Sequence, residues 1–366
     1  MNYFSSFLLV FISVLSVLSS NIVESLENQE IQFIRSGLNH FSVNFYKTLA
    51  RKEKGNFVCS PISAHILGVM TIYGTDSFRK LELSNPSNIS ESEILLLQSY
   101  SQWFTNLKNA PNTEFSTANR LYIHNEFPTN SFEKLTEIFR SKIKIVNFKD
   151  TFRTTRNDLK DMELAMVSTG FFKGDWLYPF NYLQNRIFNV SKTEDVVVVV
   201  MCDTAPYNYG SIPHIDAKYI ELPYGLDERN NLFSMYIIMP NDIDGLDAIT
   251  EKLHEIDFAT LNAPKRIVDV YIPKFKIETK LGFGAGMSDH FYNRIYQRYL
   301  KISAVIQKSF INVDVKGSES AYATFLEITL VKEPTEINVD RPFIAVIVSK
   351  VESIPLMWAR ITNPLE

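Results

Sequence analysis

The amino-acid sequence predicts an α+β fold with large antiparallel or mixed sheets. Apolar residues recur at helical spacing near the beginning of the chain, where Ile34, Leu38 and Phe41 belong to one stripe. The second half instead consists mainly of strand-like runs, such as 219–224 and 232–239. No linker rich in Gly, Ser or Pro divides the two parts, and the 366 residues are 45% hydrophobic, enough for a large core. We therefore expect one folded domain.

In the first half, the helical stripe continues to Leu49 and the helix closes near Gly55. A short apolar strand, 56–59, follows. Ser60 suits the N-cap of the next helix, and Pro61 suits its first turn. Beyond this helix, the pattern predicts strands at 115–124, 143–148 and 164–172 and a helix at 131–138.

In the second half, the run 196–202 is apolar throughout, which favours a strand covered on both faces. The runs 219–224 and 232–239 flank a polar turn and predict an antiparallel hairpin. The pattern also predicts a short helix at 246–254 and strands at 267–275, 343–348 and 356–361.

The N-terminal region predicts export. Residues 4–18 form a short uncharged apolar run followed by small residues, so residues 1–19 are interpreted as a signal peptide and the folded domain as 20–366. We therefore expect a secreted, extracellular protein. Asn88 and Asn189 each begin an Asn-x-Ser sequence, so in a secreted protein both are predicted to accept glycans. The two cysteines, Cys59 and Cys202, are either free and buried or joined in a disulfide, and the sequence leaves both alternatives open.

Charge and motifs argue against several functions. The net charge of −4 gives no general attraction to nucleic acid or to acidic membranes. The glycines at 282, 284 and 286 do not complete a dinucleotide fingerprint or a phosphate loop, no Gly-x-Ser-x-Gly motif occurs, and the six histidines lack zinc-ligand spacing. The sequence thus predicts no enzyme, no cofactor and no metal.

The stretch from Asp314 to Phe343 has an unusual pattern. Between Ser318 and Thr329 the even positions are mostly small or apolar, whereas the odd positions include Glu319 and Glu327. This alternation predicts a segment that is able to form a strand with one buried face. The alternation then stops, and 330–334 is typical of an exposed extended loop.

With these features in place, the chain resembles the serpin superfamily from about Ile31 to Leu365. The resemblance rests on motifs in family order: Asn56 to Pro61, Phe172 to Trp176 with Pro179-Phe180, Glu221 to Tyr224, Ser234 to Pro240, Pro273 to Glu278, Val339 to Phe343 and Asn363-Pro364. It implies a serpin fold, with three β-sheets surrounded by helices and an exposed reactive-centre loop at 314–343.

The resemblance also implies a mechanism. In serpins a serine protease attacks the loop and forms a covalent acyl complex with it. The cleaved loop then inserts into the main sheet as an extra strand, and this insertion traps the protease. Counting from the hinge glycine, Gly317, places the attacked bond at Val331-Lys332, and Val331 suits an elastase-like pocket. Adjacent registers remain open, because Leu330 suits chymotrypsin-like pockets and Lys332 trypsin-like ones. The resemblance thus implies that the chain is a monomer and that its partner is a target serine protease.

The inserting hinge is implied to comprise Gly317, Ser318, Glu319, Ser320, Ala321, Tyr322, Ala323 and Thr324. Tyr322 is bulky where inhibitory serpins have a small residue, and Val315 replaces the usual hinge acid. These departures leave an alternative open, a non-inhibitory serpin that acts as a binding, carrier or interaction protein.

The resemblance also identifies a region at which the main sheet opens. This region contains Ser60, Ser63, Ser168 and Gln307, with Trp176 at the upper end of the sheet. Ser168 and Gln307 stand where the family has an Asn and a His, and they are able to hydrogen-bond each other over a different reach. The interval between Phe148 and Leu164 is shorter than in the family by about one helix.

Overall fold

Antiparallel strand pairing dominates the part of the chain that the structure describes. The computed structural model describes residues 35, 37–73, 103, 113–125, 139, 141–147, 164–225, 232–283, 290–293, 298–315 and 335–366. The predicted helix at 131–138 and the segment 316–334 therefore lie outside the described residues, as do the predicted signal peptide at 1–19 and Asn88.

Three helices can be given within the residues that the structure describes. Helix α1 includes residues 37–52, α2 spans Pro61–Tyr73 and α3 spans Leu246–Glu251. Two 3₁₀ turns occupy Pro213–Ile215 and Leu253–Glu255. The strands in chain order are β1 Phe57–Cys59, β2 Thr113–His124, β3 Lys142–Val146, β4 Leu164–Gly174, β5 Tyr182–Ser191, β6 Glu194–Ile212, β7 Ala217–Tyr224, β8 Phe233–Pro240, β9 Arg266–Pro273, β10 Phe275–Phe283, β11 His290–Asn293, β12 Arg298–Val313, β13 Thr335–Asn338, β14 Phe343–Ser349 and β15 Ile354–Ile361.

The six-stranded sheet has the order β10-β12-β4-β2-β3, and β11 pairs with β12. Strands β12 and β4 run parallel and are paired from Ile302↔Leu164 to Phe310↔Phe171. Strand β10 is antiparallel to β12, and β2 is antiparallel to β4. The parallel pair at the centre is therefore closed along most of its length.

The nine-stranded sheet has the order β1-β15-β14-β8-β7-β6-β9-β13, with β5 paired to β6. Strand β6 joins two parts of it: up to Tyr207 it pairs with β9, and from Asn208 onward it pairs with β7. A single long strand thus connects two smaller sheets. With the six-stranded sheet they make up the three expected sheets.

Helix α2 lies between the two sheets. Its apolar residues Ile62, Ile66 and Leu67 are buried, and the helix packs against β15 on one side and against β4 and β2 on the other. Burial of such side chains stabilises the fold by about 1.5–3 kcal/mol each. The helix begins at Pro61 directly after Ser60, which confirms the predicted start.

The predicted hairpin is confirmed by the antiparallel pairing of β7 with β8. The prediction for 196–202 was wrong in one respect, because that strand is not covered on both faces. Val198 and Val200 are buried, but Val197 is 63% exposed and Val199 is 42% exposed. A continuous apolar run does not distinguish a strand covered on both faces from one whose second face is an apolar surface.

Candidate functional site

The structure brings four of the predicted sheet-opening residues together: Ser60, Ser63, Ser168 and Gln307 are all buried where α2 begins beneath β4 and β12. Ser60 Oγ and Ser63 Oγ are 2.9 Å apart, and Ser60 Oγ also donates to the carbonyl of Leu356 at 3.2 Å. These bonds tie the start of α2 to β15 on the far side of the helix.

Gln307 joins β12 to the start of α2. Its Nε2 donates to the main-chain oxygen of Ser60 at 2.7 Å, and the main-chain N–H of Ser60 donates to its Oε1 at 3.1 Å. Both polar atoms of the side-chain amide are therefore used. Because the pair is buried, loss of the side chain leaves the Ser60 N–H without this acceptor.

Ser168 lies on β4 directly beside Gln307, but the two side chains bond elsewhere. Ser168 Oγ donates to Asn119 Oδ1 at 2.9 Å, whereas Gln307 bonds to Ser60. Asn119, on β2, is thus a member of this buried polar layer that the sequence reasoning missed. The sequence indicates only that Asn119 is a polar residue on the buried face of a predicted strand, and this does not identify its hydrogen-bond partner.

At Gly170, β4 lies very close to Ser60, the residue that precedes α2. A Cβ added there would lie 2.5 Å from Ser60 Cβ and 2.9 Å from Ser60 Oγ, both too close for normal contact. Only glycine therefore permits this spacing between the strand and the helix. Gly170 also pairs with Ser309 on β12 and with Thr117 on β2, so both flanks of the strand are bonded.

Trp176 lies at the upper end of the six-stranded sheet, as expected. Its indole Nε1 donates to the main-chain oxygen of Asp314 at 3.1 Å, immediately after β12 ends. Its ring stacks on Tyr224 with centroids 4.3 Å apart, and Phe180 packs edge-on against it. Trp176 therefore fixes the point at which the chain leaves β12 toward segment 316–334.

The other end of that segment is fixed by β13. Thr335 and Glu336 pair in parallel with Val268 and Asp269 of β9. The guanidinium of Arg186, on β5, forms an ion pair with Glu336 and lies 3.3 Å from the centroid of the Tyr271 ring. Segment 316–334 thus connects one sheet at Asp314 to the other at Thr335.

The remaining predicted site residues divide into two groups. The reactive bond Val331-Lys332, the hinge Gly317 to Thr324 and Asn88 lie outside the described residues. Asn189 is partly buried, and its Nδ2 donates to the carbonyl of Asp340 at 3.1 Å. No group of three or more His, Cys, Asp or Glu residues in the described ranges is placed to hold a metal ion.

Cys59 and Cys202 are both free and buried, so the disulfide alternative is not realised. Burial raises the pKa of the Cys59 thiol far above its ordinary value, and burial also raises that of Cys202. A raised pKa keeps both sulfurs in the unreactive thiol form. Among the helices of the described ranges, none has both the length and the apolar character to cross a bilayer.

Comparison with known proteins now identifies the fold. The family model described as Serpin (serine protease inhibitor) matches residues 36–364. A serine protease inhibitor of Cyanea capillata is 24% identical, with 88% of this chain and 96% of that protein aligned. The leukocyte elastase inhibitor of Xenopus laevis is 26% identical, with 90% and 99% aligned.

Solved structures agree. The crystal structure of Serpin48 from Tenebrio molitor superposes with a TM-score of 0.75 at 25% identity, covering 92% of this chain and 98% of that chain. The chain therefore belongs to the serpin family, and the six-stranded sheet together with the two smaller sheets connected by β6 are those of the serpin fold. Membership in a family with relatives named as protease inhibitors supports protease inhibition as its activity.

Proposed function

We propose that this serpin inhibits a serine protease by offering the bond Val331-Lys332 for cleavage and then inserting the hinge between β4 and β12. The observation that carries the proposal is the closed parallel pair β4–β12, with segment 316–334 leaving directly from the end of β12.

The strand directions favour insertion. Strands β4 and β12 are parallel, so a chain that turns back after Val313 and passes between them runs antiparallel to both. Insertion would exchange one parallel ladder for two antiparallel ladders, and antiparallel pairing is slightly more stable per residue. A loop held away from the sheet thus stores free energy that cleavage releases.

The hinge composition decides whether insertion is fast enough. Ser318, Ser320 and Thr324 are small, and each would face the core as the strand forms. Tyr322 on the same face is the largest side chain that must pass between the strands. Since trapping competes with deacylation, slow insertion at Tyr322 would release the protease and leave a cleaved serpin.

The target is proposed to be an elastase-like enzyme. A β-branched aliphatic residue, Val331, suits a small apolar primary pocket, and one relative is named as a leukocyte elastase inhibitor. We also propose that residues 1–19 are a signal peptide, that the secreted monomer is the single domain 20–366, and that Asn88 and Asn189 carry glycans.

The test is to mix the purified protein with elastase, chymotrypsin and trypsin and to separate the products on denaturing gels. An adduct that survives denaturation, together with a released fragment beginning at Lys332, supports the proposal. Tyr322→Ala should raise the ratio of adduct to cleaved serpin. Phe325→Ala is the matched control, because Phe325 lies on the opposite face of the predicted strand and should leave the ratio unchanged. Clipping without any adduct, in the wild type and in Tyr322→Ala alike, rejects inhibition.

The second candidate, a non-inhibitory binding or carrier serpin, is favoured by Tyr322 and by Val315 in the hinge. It predicts that cleavage of the loop leaves thermal stability nearly unchanged, because no strand is added to the sheet. Comparing the melting temperatures of intact and cleaved protein separates the two candidates. A large rise after cleavage argues for insertion and against the carrier.

A further inference from the structure

The outer face of the six-stranded sheet, which is turned away from α2, carries a concentration of positive charge. Along β12, Gln307 and Ser309 are buried, whereas Lys308 between them is exposed. The same alternation exposes Lys280 on β10 and Arg120 on β2. These three cations therefore belong to the face opposite the buried polar layer.

The strand register places cations of this face in like-charged pairs. Lys280 on β10 is directly opposite Lys308 on β12, and Arg120 on β2 is directly opposite Lys142 on β3. Like charges in such positions lower the stability of a sheet. Within the described ranges none of these four residues is in an ion pair with Asp or Glu. A bound anion would therefore relieve a repulsion that the protein itself does not neutralise.

The two pairs lie close enough to form one surface. Val167 of β4 is opposite Arg120 on one side and opposite Ile306 on the other, and Ile306 is two residues before Lys308. The pairs are thus offset along the strands by two residues, and from β10 to β3 there are four inter-strand spacings, or about 19 Å. We call this surface the basic track; it consists of Lys280, Lys308, Arg120, Lys142 and Lys144.

The acidic residues of this face lie outside the basic track. On the described strands they are Glu114, which is opposite Lys173, and Glu278, which is opposite Phe310. Both lie nearer the upper end of the sheet, where charges of the two signs are mixed. Since the whole chain has a net charge of −4, the basic track is a local feature and does not reflect the overall composition.

The aromatic residues of this face indicate which kind of polyanion fits. Proteins that bind single-stranded nucleic acid stack successive bases on aromatic rings. Here Phe171 and Phe310 stack on each other, with ring centroids 6.3 Å apart, and Lys276 lies over Phe310. Beside the basic track only Tyr122, opposite Lys144, offers a ring among the described residues. A row of point charges without a row of rings favours a sulfated polysaccharide over a nucleic acid.

We propose that the basic track binds a linear sulfated polysaccharide, whose sulfate groups neutralise both like-charged pairs at once. One pair lies on β10 and β12 and the other on β2 and β3, so the bound chain crosses the boundary between β12 and β4. The ligand therefore connects the two halves of the sheet.

This connection bears on the opening of the sheet. Insertion of the hinge between β4 and β12 would widen the gap between Lys308 and Arg120 by one inter-strand spacing, about 4.8 Å. A polysaccharide bound to both pairs therefore prefers the closed sheet, and by linkage it opposes insertion to the same extent. This preference rests on the proposed function, whereas the polysaccharide site does not.

The site is tested by calorimetric titration of the intact protein with low-molecular-mass dextran sulfate at low salt. Dextran sulfate should bind saturably and more weakly as salt is added, and unsulfated dextran of the same length should not bind. Lys308→Gln and Arg120→Gln should each weaken binding at least threefold. Lys218→Gln is the matched control, because it removes the same charge from an exposed position on β7, in the other sheet.

Two results would overturn the site: no binding of dextran sulfate, or equal affinity in the wild type and all three variants. Single-stranded oligothymidylate that binds as tightly as dextran sulfate would overturn the choice of a polysaccharide. The melting temperatures of Lys308→Gln and Arg120→Gln should be at or above that of the wild type, because each variant removes a like-charge contact. Misfolding is thereby excluded as the cause of weaker binding.

The preference for the closed sheet is tested by repeating the titration with protein cleaved in the loop. Cleaved protein whose melting temperature has risen should bind dextran sulfate at least threefold more weakly than intact protein. Equal affinity in spite of a raised melting temperature overturns the preference. If cleavage leaves the melting temperature unchanged, the proposed function and the preference both fail, and the variants of the intact protein alone decide the polysaccharide site.

Discussion

The close approach of β4 to α2 makes Gly170→Ala the sharpest test of the buried region beneath the main sheet. The new methyl would lie 2.5 Å from Ser60 Cβ, whereas carbon atoms in contact are about 3.5–4.0 Å apart, so roughly 1 Å must be absorbed. The obstructing atom is bonded directly to the main chain, and β4 is paired on both sides. Overpacking of this kind destabilises by about 1–3 kcal/mol, and we expect the upper part of that range.

The assay is thermal unfolding followed by circular dichroism. For a chain of 366 residues the unfolding entropy is about 0.8 kcal/mol/K, so a loss of about 2–3 kcal/mol lowers the Tm by about 3–4 °C. Gly55→Ala is the control, since nothing lies within 4 Å of a Cβ added at Gly55. That variant should melt at the wild-type temperature or slightly above it.

A double-mutant cycle identifies the clash. Ser60→Gly removes the atoms that Gly170→Ala would meet, at the loss of the Ser60 Oγ bonds to Ser63 and Leu356. In that background the added methyl should lower stability by less than about 1 kcal/mol, giving a coupling of about 1–2 kcal/mol. If Gly170→Ala melts like the wild type, or destabilises equally in both backgrounds, the clash with Ser60 is not what fixes glycine at this position.

Three further predictions follow from buried polar groups. Gln307→Met removes two hydrogen bonds to the main chain of Ser60 and should lower the free energy of unfolding by about 2–4 kcal/mol, measured by denaturant unfolding. Cys59 and Cys202 are free and buried, so Ellman's reagent should detect two thiols after unfolding and react only slowly with the native protein. Burial raises the pKa of Asp203 above 3.8 in the folded protein. The stability that this shift contributes is fully present below pH 3.8 and is lost as the pH rises through the raised pKa. Asp203→Asn should therefore flatten this part of the profile of Tm against pH.

Each of these has a control. Lys308→Met removes no buried side chain, because Lys308 is the exposed neighbour of Gln307. If Lys308→Met and Gln307→Met were equally stable, the role of Gln307 would be contradicted. Fewer than two thiols in the unfolded protein would indicate a disulfide. For the pH profile, a slope that persists in Asp203→Asn assigns the titration to another group.

The local part of the fold could be predicted from the sequence. Pro61 favours the start of α2 through its fixed φ angle, which depends only on that residue and its immediate neighbours. The hairpin β7–β8 follows from two apolar runs around a polar turn. Strand 196–202 was located correctly, but its exposure depends on which elements cover it, and a run of valines carries no information about that.

The partners within the site could not be predicted in the same way. Ser168 and Asn119 are 49 residues apart, and they meet because the register of β2 against β4 places them opposite each other. The bond from Gln307 to Ser60 spans 247 residues. Register in a sheet depends on the whole pattern of pairing, so a polar residue in a strand indicates that a partner is needed without indicating which one.

The two sheets differ in what holds them together, and this difference bears on how the protein is able to work. Strands β14 and β15 are buried at every position and are almost wholly apolar, so separating them would expose many side chains worth about 1.5–3 kcal/mol each. Along β4 and β12 the buried positions near the centre are instead Ser168, Gly170, Gln307 and Ser309. Separation there exposes little apolar surface, and the hydrogen bonds that break are ones that an incoming strand is able to remake. The proposed insertion would open the six-stranded sheet and leave β14 and β15 paired, and this distribution of polar and apolar contacts permits both.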